Sequence, residues 1–159
     1  MTPEQVAALR RLIAECRILA LAVVVDGEPV TGLLPYAPDR GAGLLIHASA
    51  LARHSRGLVD GGRFGALVHR EPEPGGDPLQ VERVSLQGGV RELPRGTEAW
   101  EAAKRIYLAR FPHAEMTFGL GDFTLWALEP DGGRWVSGFA AAVNLTPRNL
   151  AALAEPDPA

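Results

Sequence analysis

Ile18-Leu19-Ala20-Leu21-Ala22-Val23-Val24-Val25 is an unbroken apolar run, and Asp26-Gly27 follows it directly. The run has the length of a strand, and its branched residues favour pleated backbone. Asp-Gly is a hairpin signal, because a type I′ turn needs positive φ at both central positions. The return strand is predicted over Glu28 to Tyr36. Upstream, Thr2-Pro3-Glu4-Gln5 reads as a helix start. Thr2 caps, Pro3 suits the first turn, and Gln5 completes a capping box. Val6, Leu9, Leu12, Ile13 and Cys16 follow at helical spacing, which breaks at Arg17.

Downstream, Asp39-Arg40-Gly41-Ala42-Gly43 reads as a turn and Gly43 to His47 as a third strand. Ser49 is placed to cap a helix carrying Leu51, His54, Leu58 and Val59, stopped by Asp60-Gly61-Gly62. Arg63 to His69 reads as a fourth strand. Residues 70–78 form a polar loop too rich in Pro and Gly for a sheet interior, with little apolar surface to hold it. Leu79 to Leu93 reads as a long strand bent at Gly88-Gly89, and Thr97 to Arg110 as a helix. Asp122 to Leu128 and Arg134 to Phe139 are predicted to form a last hairpin across Pro130-Asp131-Gly132-Gly133. Thr146-Pro147 starts a short helix, followed by a frayed tail, 155–159. Tight connections favour antiparallel neighbours, so the expectation is a small α+β barrel of six strands.

The bulk properties narrow the function. The 159 residues, 47% hydrophobic and 22% charged, fit a single globular domain over 1–159. A net charge of −3 gives no general pull toward nucleic acid or anionic lipid, so an anion site must be local. One cysteine, Cys16, cannot make an internal disulfide or a zinc cluster, which points to a reducing compartment. No apolar run approaches the ~20 residues of a membrane span. Glu4 and the absence of an early basic cluster argue against a signal peptide, so a cytoplasmic protein is expected. The four histidines, 47, 54, 69 and 113, show no metal-ligand spacing, and no metal is expected.

His47-Ala48-Ser49-Ala50-Leu51-Ala52-Arg53-His54-Ser55-Arg56 is the segment richest in chemistry. It runs from a strand end into the predicted helix start, where free N–H groups and the dipole bind phosphate. Ser49, Ser55, Arg53 and Arg56 add donors suited to a dianion. The alternative is a capped surface helix with a solvated basic face.

Several stretches, in this order, resemble one family. They are Val30-Thr31-Gly32-Leu33-Leu34-Pro35-Tyr36, Leu44-Leu45-Ile46-His47-Ala48-Ser49 with Leu51-Ala52-Arg53-His54-Ser55, and Val84-Ser85-Leu86-Gln87-Gly88. Gly121-Asp122-Phe123, Leu125-Trp126-Ala127-Leu128-Glu129-Pro130 and Ser137-Gly138-Phe139 continue the series. From about residue 4 to 145 the chain resembles the pyridoxamine 5′-phosphate oxidase-like split-barrel family, in particular its haem-utilisation branch. The resemblance implies a mainly β (α+β) fold, a six-stranded antiparallel split β-barrel with flanking helices. It further implies a homodimer with a cofactor between the subunits. In flavin-binding relatives the FMN phosphate lies at positions matching His47, Ala48, Ser49, Arg53, His54 and Ser55. The ring lies along the strand matching Val30, Thr31, Gly32 and Leu33, with Arg83 approaching it. Trp135 to Phe139 matches a segment contributed by the partner chain.

The chain also departs from the pattern. Gly57 stands where an Asn is usual. The usual Gly-Phe-Gly-Arg-Ala is here Gly138-Phe139-Ala140-Ala141-Ala142, which gains a methyl and loses a charge. No Arg-Leu-His-type substrate motif follows Trp135, which argues against pyridoxamine phosphate oxidation. The leading expectation is an FMN-binding, flavin-dependent oxidoreductase of unknown substrate, with no catalytic acid or base singled out. Haem binding or degradation is the alternative, although no histidine follows His113, where haem-handling relatives carry a ligand. A cofactor-free binding module is the third reading.

Overall fold

Asp26 and Gly27 adopt φ of 54° and 82°, the left-handed pair that a type I′ turn requires. They join β1 (Ile18–Val25) to β2 (Glu28–Pro38) in register, from Val25 opposite Glu28 to Ile18 opposite Pro35. The computed structural model describes residues 1–40, 43–138 and 141–154. Gly41, Ala42, Phe139, Ala140 and the tail lie outside the described residues, so the departure noted at Ala140 is not placed, whereas the one at Ala141 falls at the start of the last strand.

The remaining strands are β3 (Leu44–Ser49), β4 (Arg63–His69), β5 (Arg83–Leu93), β6 (Phe123–Gly138) and β7 (Ala141–Leu145). The order is β3-β2-β1-β4-β5-β6-β7, every pairing is antiparallel, and β3 also pairs with β6. That last pairing closes a six-stranded barrel and leaves β7 outside it. The expected fold class is therefore the observed one.

Alternation along the strands sends Leu21, Val23, Val25, Leu34, Ile46, Phe64, Val84 and Leu86 into one apolar cluster inside the barrel. Helix α1 (Pro3–Glu15), with its Thr2–Gln5 capping box, adds Leu9, Leu12 and Ile13 to this cluster. The short α4 (Pro147–Ala152), capped by Thr146, adds Leu150. A second cluster forms on the outside of the wall. There α2 (Glu98–Arg110) and α3 (Glu115–Phe118) set Trp100, Ala103, Tyr107 and Phe118 against Ala37, Leu45, Leu93 and Leu125. Among the described residues, no helix is long and apolar enough to cross a membrane.

Three local expectations are corrected. The last hairpin does not form: residues 123–138 are one continuous strand. Pro130-Asp131-Gly132-Gly133 is a bulge facing β5, where Gln87 pairs with Gly132, Gly88 pairs with Pro130, and Asp131 is extruded. Arg63 grips the Asp131 carboxylate with both terminal nitrogens. The helix expected from Ser49 is a single 3-10 turn, Arg53–Gly57, while Ser49 ends β3. Gly57 packs directly on β1, where a Cβ would lie 2.7 Å from Val23 Cγ2. The backbone approach there leaves no room for a side chain at position 57. Strand β5 begins at Arg83, because Pro78–Gln80 is a 3-10 turn capped by Asp77.

The bulge makes the two central glycines of β5 unequal. A Cβ on Gly88 would meet the Glu129 carbonyl oxygen at 2.0 Å, whereas one on Gly89 would meet nothing within 4 Å. Gly88→Ala is expected to lower stability by about 1–3 kcal/mol through forced strand separation. Gly89→Ala is expected to change it by less than about 0.5 kcal/mol. Urea unfolding of the two variants checks this, and equal losses would contradict the assigned bulge.

Candidate functional site

The strand end at Ser49 is built from hydrogen bonds that consume its hydroxyls. Ser49 Oγ donates to Asp122 Oδ2 at 2.7 Å and accepts from the Leu51 amide at 3.2 Å. Ser55 Oγ donates to the Ser49 carbonyl at 2.7 Å, and the Ala50 amide donates to the Asp122 carbonyl. A phosphate placed at Ser49 would therefore face a carboxylate. It would also lack the helix N-terminus on which the dianion reading rested. Arg56 is turned to Asp26 at the hairpin tip, at 2.8 Å. Arg53 is exposed and has no ion pair among the described residues.

The structure divides the remaining candidates between two faces. In β2, Val30 and Gly32 point to the barrel side, while Thr31 and Leu33 point outward. His54 lies on the barrel side over Gly32, where a Cβ would come within 2.3 Å of its Nδ1. Burial pushes the His54 pKa down, so the imidazole there is neutral. Ala48 is in the barrel core. Trp135 is in the same core, its Nε1 donating to Glu82 Oε1 at 3.2 Å.

His47 points the other way, under α3. Its ring stacks on Phe118 at 3.9 Å and sits edge-on to Tyr107 at 6.0 Å. Thr117 Oγ1 donates to the Ala114 carbonyl and lies 3.3 Å from His47 Nδ1, so the ring N–H donates to the hydroxyl oxygen. Burial first, and the Arg95 charge second, push its pKa down to about 4, against a smaller opposing pull from Asp122. Sequence reading had missed Asp122, Thr117 and Phe118 as partners. Asp122 stood in a quoted motif without a role, and nothing local linked residues 117–118 to His47.

The outward face of β1, β2 and β4 is left uncovered by the described residues. Ala20 pairs with Leu33 on one side and Leu67 on the other, and Ala22 with Thr31 and Gly65. Leu33 is 69% exposed, Val24 64%, Ile18 43% and Leu67 36%. Contiguous exposed apolar surface of this kind marks a binding or association surface. Arg83, Ser85 and Gln87 of β5, facing the same way, form its polar border. Arg83 Nη1 donates to the carbonyls of Leu79 and Val81. Its Nε and Nη2 have no hydrogen-bond partner among the described residues. No group of three or more metal-ligating side chains occurs among the described residues.

No family model matches the chain. It is 30% identical over 117 residues to the chloroplastic non-canonical haem oxygenase HOZ of Arabidopsis thaliana, a match covering 74% of this chain and 34% of that protein. The chain thus spans about a third of that relative's length. Its structure superposes on a haem-binding protein from Mycobacterium smegmatis with a TM-score of 0.81 and 26% identity, covering 96% of this chain and 61% of that one. It also superposes on an FAD-binding protein from Mesorhizobium loti with a TM-score of 0.62. That match has 16% identity and covers 80% of this chain and 88% of that one, a likeness of fold alone.

The buried His47 makes stability depend on pH in a defined window. Its folded pKa of about 4 lies below the ordinary 6.5, so the unfolded chain takes up the proton first as pH falls. The contribution is complete above about pH 6.5 and is lost between there and about pH 4, with a slope of up to ~1.4 kcal/mol per pH unit. His47→Phe, which keeps a ring against Phe118, should flatten this part of the curve. Unfolding free energies measured from pH 7 to pH 4 check it, and identical slopes in both proteins would contradict a neutral buried His47.

Proposed function

The chain belongs to the pyridoxamine 5′-phosphate oxidase-like split-barrel family, on its haem-utilisation side, and from that premise we propose that it binds haem on the outer face of β1, β2 and β4. The observation that carries the reading is the uncovered apolar face itself, bordered by Arg83. A porphyrin is a large apolar plane carrying carboxylates. It fits a flat wall of Leu33, Ala20, Leu67 and Ile18 with a guanidinium at the edge. Haem would supply the redox chemistry of iron. This chain's residues would supply the platform, the orientation and the exclusion of water. A second copy of the chain would cover what the ligand leaves exposed, so the working form is a homodimer burying on the order of 1,600 Å² or more.

The flavin reading keeps one specific support, Arg53, a cation next to the strand end with no ion partner among the described residues. If FMN is the group held, Arg53→Ala should weaken it by about tenfold to a hundredfold, the worth of one charge-assisted bond. Equal FMN affinities for the two proteins would remove Arg53 from any phosphate site.

The haem reading is tested by titrating ferric haem into the purified chain and following the Soret band alongside sedimentation. A saturable band and a dimer are expected. Leu33→Glu should shift the protein to monomer and weaken haem uptake, with little change in thermal midpoint because the side chain is exposed. A stable monomer that takes up no haem at micromolar concentration would overturn the proposal.

A further inference from the structure

Of the four histidines, His69 alone lies on the uncovered outward face formed by β1, β2 and β4. His47 is stacked beneath α3, and His54 lies over Gly32 on the barrel side. His113 is on the 3-10 turn Pro112–Ala114, away from the sheet, with its ring against Phe111. His69 ends β4, two residues beyond the exposed Leu67 and facing the same way, directly across from Arg83 of β5. Its Nδ1 lies 2.7 Å from the Arg70 carbonyl. A carbonyl oxygen only accepts, so Nδ1 carries the proton and Nε2 holds the free lone pair. The exposed Nε2 has no partner among the described residues. A metal-ligating imidazole has this form: one nitrogen is oriented and made more basic by a backbone carbonyl, and the other is open.

We infer that His69 would be the side chain that holds the haem iron in this chain, with its tautomer set by the Arg70 carbonyl and Arg83 beside it as a partner for the haem carboxylates. This rests on the haem reading above and adds the iron ligand to it. The three chemical demands of haem meet at one corner of the wall. Leu67 and its neighbours offer apolar surface, His69 offers an open imidazole nitrogen, and the Arg83 nitrogens that have no partner among the described residues offer positive charge. The backbone there is held independently of any ligand. Arg70 is tied by its side chain to Glu15 and Glu82, and the His69 carbonyl accepts from Cys16 Sγ at 3.2 Å. The carbonyl that orients the imidazole thus sits on an anchored residue.

Ferric haem titrated into the full chain, read by absorbance and electron paramagnetic resonance, tests the assignment. The wild type should show the bands of imidazole-ligated haem. His69→Ala should bind about tenfold to a hundredfold more weakly and lose those bands, and free imidazole should restore them. His113→Ala should behave as the wild type. If His69→Ala keeps the wild-type spectrum and affinity, or if its loss is not rescued by imidazole, this inference is overturned and haem binding stands without it. If the wild type takes up no haem, the haem reading falls, and the ligand assignment with it.

Discussion

The pairing of β3 with the first half of β6 is the constraint on which the rest depends. It runs in register from Leu44 opposite Leu128 to Ser49 opposite Phe123, and it turns an open sheet into a barrel. Closure pairs the edge of β3 that an open sheet would expose. It also makes β3 a strand buried on both sides. Leu44, Ile46 and Ala48 join the interior, while Leu45 and His47 face outward and need a cover, which α2 and α3 supply. The same register brings Asp122 to Ser49 and so decides the electrostatics of the strand end.

Helical cover is spent on one side of the barrel. The wall around β3 and β6 is wrapped by α2 and α3, and α1 and α4 contribute their apolar faces to the interior cluster. The outward face of β1, β2 and β4 receives no helical cover from the described residues and keeps Leu33 and Val24 mostly in solvent. An exposed apolar face of this kind is suited to a ligand or to a second protein surface.

The two ends of this wall differ in what they can hold. At the Ser49 end the hydroxyls are satisfied within the chain and a carboxylate stands beside them, so a dianion gains little there. At the His69 end an imidazole nitrogen and two guanidinium nitrogens have no partner among the described residues. Polar groups already satisfied by their own chain have little left to offer a ligand, whereas unspent ones do.

Local signals settled the elements whose conformation is decided by neighbours in sequence. Asp26-Gly27 specified its turn through backbone sterics, Thr2 and Gln5 specified a cap, and the branched run 18–25 specified a strand. The barrel class followed from those short antiparallel connections and from the family resemblance. Two equally local signals were overruled by distant partners. Pro130-Asp131-Gly132-Gly133 has turn chemistry, but β5 supplies a continuous ladder and the glycines allow the close approach it needs, so the segment bulges instead. Ser49 has capping chemistry, but its hydroxyl finds Asp122, and Gly57 is pinned on Val23, so no helix propagates. The site was legible as residue types and not as faces. Which side of β2 each of Val30, Thr31, Gly32 and Leu33 occupies, and which histidine keeps an open nitrogen, depend on register and packing between strands far apart in the chain. Those are set only when the barrel closes.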